Sequence, residues 1–544
     1  MSTDIKRTAL TIGQPHSAEW GWVLRFSFVL MVLISIPLFW GIWKDWQSPD
    51  WAFMGFVQNP QDSATYIAKV EQGRQGSFST TLLHSPNVTE KSYLALIYPI
   101  LGHFSRYLGV SNTAIFHIAR LIATLLMLLS LYELGAVVWQ RQRTRRIFFI
   151  LCVVASGFGW LALPLSGGTI DNTPDFVIPE AYPLLSAVTN VHFPLAMALL
   201  TLIVAQYIIV FSPGYTASPE FDNGGLRLIL LTIFLAVLLP HMLVSITLAV
   251  LVLTAIRGVL ARQFPLTQFR WALMLILPAI PIAVYYIAET RYNPIVSGWQ
   301  AQNITLTPPI WIFLLGFGLP LIAALPAIWR AIRHFEPDGD QLMLLWLGAI
   351  LLAVYLPTDY QRRFSAGAMI PIVYFVVRAL DDFWVARTPA RWRDLALVAL
   401  YGFSGVTYLV FVALWFSGIN SRQQYLFIPA DYLPAFEWLA PRAQAARPVL
   451  ASQPISLWIP AYSGANVVYG HPFETINAAE NERLVEAWYA AETPNDPICS
   501  AVLEQFSVAY ILVGPTELDG REAIPCALNL QPQEQFGDVV IYTP

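Results

Sequence analysis

Three polar clusters interrupt an otherwise apolar chain, and their residue types suit one chemistry. The first is NPQDSATYIAKVEQGRQG at 59–76, which holds Asp62, Tyr66, Lys69, Glu71 and Arg74. The second is GGTIDNTPDFVIPEAYPLLSAVTNV at 167–191, with Asp171, Asp175 and Glu180, and with His192 just after it. The third is TDYQRRFSAG at 358–367, with Asp359, Tyr360, Arg362 and Arg363. Acids beside guanidinium groups fit a substrate that carries a phosphate, because arginine's planar fork takes two phosphate oxygens at once. If a lipid phosphate carries a sugar, a carboxylate can deprotonate an acceptor hydroxyl that attacks the anomeric carbon. The leaving phosphate is a weak base and needs neutralisation of charge more than a general acid, a role for Arg362 and Arg363. One carboxylate base without a nucleophilic residue predicts a single displacement, with inversion.

Each of these residues taken alone also reads as a solvated loop residue. Charges at a membrane border are costly unless paired or hydrated, so the case for a site rests on the three loops meeting on one face. Tyr66, Lys69, Arg74 and, from a neighbouring span, Arg120 are candidate contacts to the donor phosphate. Tyr66, Lys69 and Arg74 have the simpler alternative of anchoring their helix at the headgroup layer. Gly73 and Gly76 are expected to end that helix.

The elements that must position these loops are membrane spans. The chain has 544 residues, 56% hydrophobic and 12% charged, about half the charge of a soluble protein. Its apolar runs approach the ~20 residues that cross a bilayer. Eleven are expected: 23–43, 116–139, 147–166, 192–211, 226–239, 242–258, 271–288, 310–330, 341–356, 366–380 and 394–417. The run at 23–43 reads as a retained signal anchor rather than a cleaved leader. The fifth and sixth flank Pro240–His241 and read as a tight hairpin or as one long broken helix.

Cations set the orientation. Lys6, Arg7, the RQRTRR run at 141–146, Arg227, Arg257, Arg262, Arg270, Arg330, Arg333, Arg387, Arg391 and Arg393 all fall on one side. That side is cytoplasmic by the positive-inside rule, which places the N-terminus inside and the C-terminus outside. The first outer loop, 44–115, is too long for a connector, and Ser63–Gln72 and Leu94–Leu108 within it read as interfacial amphipathic helices. It also carries His84, Glu90 and Lys91.

The chain is therefore expected to be an α-helical polytopic membrane protein over 1–420, followed by an extracytoplasmic α/β domain over 421–544. In the latter, Val449–Ala451, Val508–Val513 and Asp538–Tyr542 read as strands, and Leu433–Leu439, Asn481–Ala491 and Ala501–Phe506 as helices. Cys499 and Cys526 lie there together, as a disulfide or as two free thiols.

A long first outer loop with an acid just after span one, then interfacial helices and an outer C-terminal domain, resembles the C-type glycosyltransferase (GT-C) superfold. That superfold includes protein O-mannosyltransferases, lipid A aminoarabinose transferases and oligosaccharyltransferase catalytic subunits. The segments IPEAYPLLSAVTNVHFPLA (178–196) and QRRFSAGAMIPI (361–372) are similar to those of prokaryotic membrane proteins grouped with these transferases. The resemblance implies a polyprenyl-phosphate sugar donor, a glycan, lipid or protein acceptor, and work at the outer face of the plasma membrane among its lipids. It implies Asp62 as base; where relatives carry an acid pair, this chain reads Gln61-Asp62, so only Asp62 carries over. In metal-dependent relatives a second-loop acid contacts a divalent cation such as Mg or Mn. Asp171, Asp175 and Glu180 are the candidates, with Asp62 and His192 as possible co-ligands, and the sequence does not choose among them.

Other residues read as structural. His192 and His241 sit at span ends without HxxxH or HxH spacing. Arg120 and Glu133 lie in span two, 13 residues apart, about 20 Å along a helix, so they cannot pair. Asn87-Val88-Thr89 and Asn303-Ile304-Thr305 match the glycosylation pattern, which the prokaryotic character makes idle. The arginines flank spans rather than forming one face, so nucleic acid is not a partner. Two rivals remain at this stage: a lipid or glycan transporter or flippase, which would show internal repeats, and a non-catalytic scaffold with a partner-binding outer domain.

Overall fold

The computed structural model describes residues 15–86, 88, 90–220, 224–444 and 447–544. Lys6, Arg7, Asn87 and Thr89 lie outside the described residues. Among the described residues, seven helices are long and apolar enough to cross a bilayer. They are Ser17–Trp46, Asn112–Val138, Gln142–Leu165, His192–Val210, Met242–Ala261, Leu266–Tyr292 and Gln361–Arg387. Ala390–Ser404 and Val406–Asn420, bent by 44°, make an eighth if they form one span. Gly225–Leu238 and Asp340–Ala353 are shorter apolar helices, and 310–330 is divided into Ile310–Leu315 and Gly318–His334. The protein is thus a multi-pass membrane protein.

By contacts the chain divides into two compact units. One comprises Met1–Ile34, Arg120–Tyr285 and Thr305–Ala413; the other comprises Ser35–Ala119, Tyr286–Ile304 and Leu414–Pro544.

In the first unit, three helix breaks meet. A Cβ on Gly157 would stand 2.0 Å from the Gly316 carbonyl oxygen, so the break after Val154 and the break after Leu315 are in backbone contact. The Phe158 N–H donates to the Leu315 carbonyl at 2.9 Å, and the Ser156 N–H to the Ser404 carbonyl at 2.7 Å. A broken helix exposes N–H and C=O groups that must find partners when buried, and these bonds supply some of them.

The second unit holds the Pro60–Arg74 helix. Asn59 adopts a left-handed φ of 48° and Pro60 begins the helix, a start that suits a short amide followed by a fixed φ. Gly73 does not end this helix: it lies within it, where a Cβ would stand 2.1 Å from the Pro99 carbonyl oxygen. Gly102 of the Ile97–Leu108 helix answers it, 2.0 Å from the Val70 oxygen. Two facing glycines let the helices cross in backbone contact, and Gly76, at φ +104°, follows the helix end. The Pro60–Arg74 helix also packs on Ile455–Ser463, so it is a core helix rather than one lying free at an interface. Ile97–Leu108 keeps an exposed apolar face of Ile100, Phe104, Tyr107 and Leu108.

Two sheets complete this unit. β1 (Trp51–Phe53) pairs antiparallel with β2 (Phe427–Pro429). β3 (Val449–Leu450), β4 (Tyr510–Val513), β5 (Gln531–Phe536) and β6 (Val539–Thr543) form a sheet in the order β3-β4-β6-β5, parallel only between β3 and β4. Tyr432–Leu439, Ala478–Ala490 and Pro497–Phe506 are helices. Cys499 and Cys526 are joined in a disulfide, beside a core that includes Trp488, Val502 and Ile511.

Candidate functional site

Asp62 stands in the first turn of Pro60–Arg74, its side chain 46% exposed. The Asn59 amide donates to Asp62 Oδ2. His471 Nε2 lies 3.4 Å from Asp62 Oδ1. The His471 Nδ1 accepts from the backbone N–H groups of Phe473 (3.1 Å) and Glu474 (3.2 Å). A nitrogen that accepts two N–H bonds carries no proton, so Nε2 holds it, and Nε2 is the nitrogen that lies beside the Asp62 carboxylate.

Tyr66 and Lys69 follow Asp62 at spacings of four and seven, which places all three along one helix face. The Lys69 ammonium contacts Glu474 Oε1 and Oε2, both at 3.0 Å, and lies 5.8 Å from the Tyr66 ring centre. Tyr66 in turn stacks on Tyr98 at 4.4 Å. Arg74 is exposed in the last turn. Burial raises the Glu71 carboxyl pKa against the opposing pull of a bond from the Asn112 amide and the charge of Arg74. His84 is buried, bonded through Nε2 to the Leu457 carbonyl at 2.9 Å, and pushed down to about 3 by burial first and by His471 second. A neutral imidazole is therefore built in beside the Asp62–His471 pair, with ring centres 6.2 Å apart.

The remaining candidates belong to the other unit. Asp175 is 1% exposed. Its Oδ2 accepts from the N–H groups of Gly157 and Gly159, both at 3.1 Å, and from the Thr407 hydroxyl at 2.7 Å. Asp175 thus clamps the helix breaks, and burial raises its pKa. Asp171 is exposed, while Glu180 and His192 are buried. The Glu180 carbonyl accepts from the Gly367 N–H, which ties the second polar loop to the third. Arg362 and Arg363 lie half-buried on the turn Gln361–Ser365. The Arg362 N–H donates to the Thr305 carbonyl, and the Arg363 guanidinium sits 5.7 Å from the Tyr360 ring centre. Burial first, then the charges of Arg363 and His192, push the His241 imidazole down to about 3. Arg120, 4% exposed, donates to the Ala187 carbonyl at 2.6 Å.

A metal set does not assemble from these residues. Among the described residues, the group of three acidic ligand atoms within 4.8 Å of one another is Glu336, Asp338 and Asp340. Those acids are already neutralised: Arg330 meets Glu336 at 2.8 Å, and Arg378 meets Asp338 and Asp340 at 3.2 Å each. Asp171, Asp175, Glu180 and His192 form no such group.

His471 and Glu474 are the site residues that sequence reasoning missed. Neither carries a local signal: Lys69 and Glu474 are 405 positions apart, and only folding pairs them.

No protein-family model and no curated protein matches the chain's sequence. Solved structures do resemble it over nearly its whole length. ArnT, an aminoarabinose transferase from Cupriavidus metallidurans, bound to undecaprenyl phosphate, is similar with a TM-score of 0.55 at 14% identity, over 96% of this chain and 98% of that one. Its apo state gives 0.54 at 12% identity, over 97% and 98%. The arabinofuranosyltransferase AftD from Mycobacteria gives 0.52 at 15% identity, over 98% of this chain but 40% of that one. At these identities the likeness shows the fold alone: over nearly its whole length the chain is folded like these GT-C transferases.

Proposed function

We propose that this protein is a membrane glycosyltransferase that moves a sugar from a polyprenyl-phosphate donor to an acceptor hydroxyl at the extracytoplasmic face. The observation that carries the proposal is the Asp62 carboxylate. It is half-exposed, accepts a hydrogen bond from the Asn59 amide, lies 3.4 Å from His471 Nε2, and is set on the same helix face as Tyr66 and Lys69. The fold neighbour with undecaprenyl phosphate bound supports a donor of the polyprenyl-phosphate class.

The Asn59 amide and the neighbouring His471 hold the Asp62 carboxylate in place. It takes the acceptor's hydroxyl proton as the new C–O bond forms and the sugar–phosphate bond breaks, with polyprenyl phosphate leaving and the anomeric centre inverted. Lys69, with Tyr66 and Arg74, is the proposed cation group for the leaving phosphate in the Asp62 unit. Arg362, Arg363 and Arg120 are the proposed second group. No step is routed through a metal. The proposal includes eleven crossings, a cytoplasmic N-terminus, a membrane domain over 1–420 and an extracytoplasmic α/β domain over 421–544.

Asp62→Asn tests it. Loss of a general base costs about 10²–10⁴-fold, so release of polyprenyl phosphate from polyprenyl-phosphate sugars is expected to fall by that factor while binding of undecaprenyl phosphate persists. Full transfer in Asp62→Asn refutes the assignment of the base. Donor binding without any transfer in the unsubstituted protein favours a transporter or scaffold.

A further inference from the structure

Glu474 holds the Lys69 ammonium with both carboxylate oxygens at 3.0 Å, the two side chains being 12% and 10% exposed. A lysine ammonium also binds a phosphate, as a compact point charge, so the carboxylate occupies the place a phosphate would take. The Glu474 carboxylate makes no other hydrogen bond or ion pair among the described residues.

The turn that carries Glu474 stands without its side chain. The Thr475 hydroxyl accepts from the N–H groups of Gly470 (3.2 Å) and His471 (3.1 Å) and donates to the His84 carbonyl. His471 Nδ1 gathers the N–H groups of Phe473 and Glu474, and the Gln302 amide donates to the Thr475 carbonyl at 2.7 Å. Rotation of the Glu474 side chain away from Lys69 breaks none of these bonds.

We infer that Glu474 is an internal occupant of the anion site at Lys69: it fills the site when no lipid phosphate is present, and the phosphate of donor or product must displace it to bind. The inference rests on the reading of Lys69 as a contact to the donor phosphate and adds how that contact is regulated. Polyprenyl phosphate, the monoester that leaves, carries about −1.5 to −2 charges near neutral pH, more than one carboxylate, so exchange favours it. The donor is a diester with one charge and competes with Glu474 on more even terms, while an empty site stays neutralised. The same pairing keeps Lys69 extended along its helix between donors.

The test is binding of undecaprenyl phosphate in detergent micelles, and separately of inorganic phosphate, followed by intrinsic tryptophan fluorescence. Glu474→Gln keeps size and one acceptor but removes the competing charge; with charge-assisted bonds worth about 1.5–3 kcal/mol, about tenfold tighter binding or more is expected. In a Lys69→Gln background the gain disappears. A gain in both phosphate arms places recognition in the phosphate alone, and a gain with the lipid only adds the tail; either supports the inference. Unchanged or weaker binding in Glu474→Gln overturns it while wild-type binding leaves the donor reading intact. An equal gain in the Lys69→Gln background also overturns it, because Glu474 then acts by repulsion at a distance. Absence of binding by wild type and variant alike overturns both. Glu474→Asp, too short to span the pair, serves as a second variant with the same expected sign.

Discussion

The Asp175→Ala substitution separates a structural clamp from a metal ligand. Asp175 Oδ2 accepts from the Gly157 and Gly159 N–H groups at 3.1 Å and from the Thr407 hydroxyl at 2.7 Å, in a site with 1% exposure. Removing the carboxylate orphans two buried N–H groups, each costing about 1–3 kcal/mol. The Thr407 hydroxyl already lies 3.5 Å from the Gly157 carbonyl and can turn to it, so it adds little. Against this, the carboxylate is itself costly to bury, which is why its pKa is raised. The net expectation is about 2–4 kcal/mol of destabilisation, with Asp175→Asn losing less because its amide oxygen still accepts. The assay is the thermal midpoint of the purified protein in detergent, with and without EDTA. A clamp predicts a midpoint several degrees lower in Asp175→Ala and no response of the wild type to EDTA. A wild-type midpoint in Asp175→Ala refutes the reasoning, and so does an EDTA-induced fall in the wild type that the substitution abolishes.

Two further predictions concern the C-terminal segment. Glu517 is buried among donors from Tyr432, Ser452 and Gly514, and burial raises it from 4.5 to about 7. The folded carboxyl therefore binds its proton more tightly than the unfolded one. The stability it contributes is fully present below pH 4.5 and is lost as pH rises through about 7, roughly 3 kcal/mol over the window. Thermal midpoints from pH 5 to 8 should fall more steeply for wild type than for Glu517→Gln, and parallel profiles would sink the assignment. The Cys499–Cys526 bond closes a loop with a separation of 27 residues, which corresponds to about 3.5 kcal/mol of unfolded-chain entropy. Replacing both cysteines with serine should lower the midpoint, and reductant should bring the wild type down to the same value; a midpoint indifferent to both would contradict that estimate.

The membrane helices were legible because apolar runs near bilayer length leave few alternatives, and each expected span has helical residues within it. What could not be read were the breaks. The runs 147–166, 310–330 and 394–417 look continuous, yet each is interrupted, at 155–158, 316–317 and 405. The interruptions depend on one another: Gly157 lies against Gly316, Ser156 bonds Ser404, and Asp175 and Thr407 take up the freed groups. A periodicity argument sees one helix at a time and cannot find a break whose cause lies in another. Gly73 shows the same limit. A glycine near a helix end reads as a stop, but its role here is close contact with Gly102, which no local pattern announces. β5, QPQEQF, escaped because an exposed edge strand has no buried face to impose alternation.

The site divides along the same line. Asp62, Tyr66 and Lys69 were readable because helical spacing alone places them on one face, whereas His471 and Glu474 were not, because nothing near 471–474 in the sequence refers to 62–69. Yet the two distant residues change what the near ones can do. His471 lies 3.4 Å from the Asp62 carboxylate, and with Glu474 on it, Lys69 is not a free cation. Under the proposed function, the readable half of the site would supply the reactive groups, and the unreadable half would set the state in which they wait. A one-residue change at Glu474 should therefore move donor affinity without touching the residue that would do the chemistry. A site whose charges were assigned from its helix alone would show no such separation.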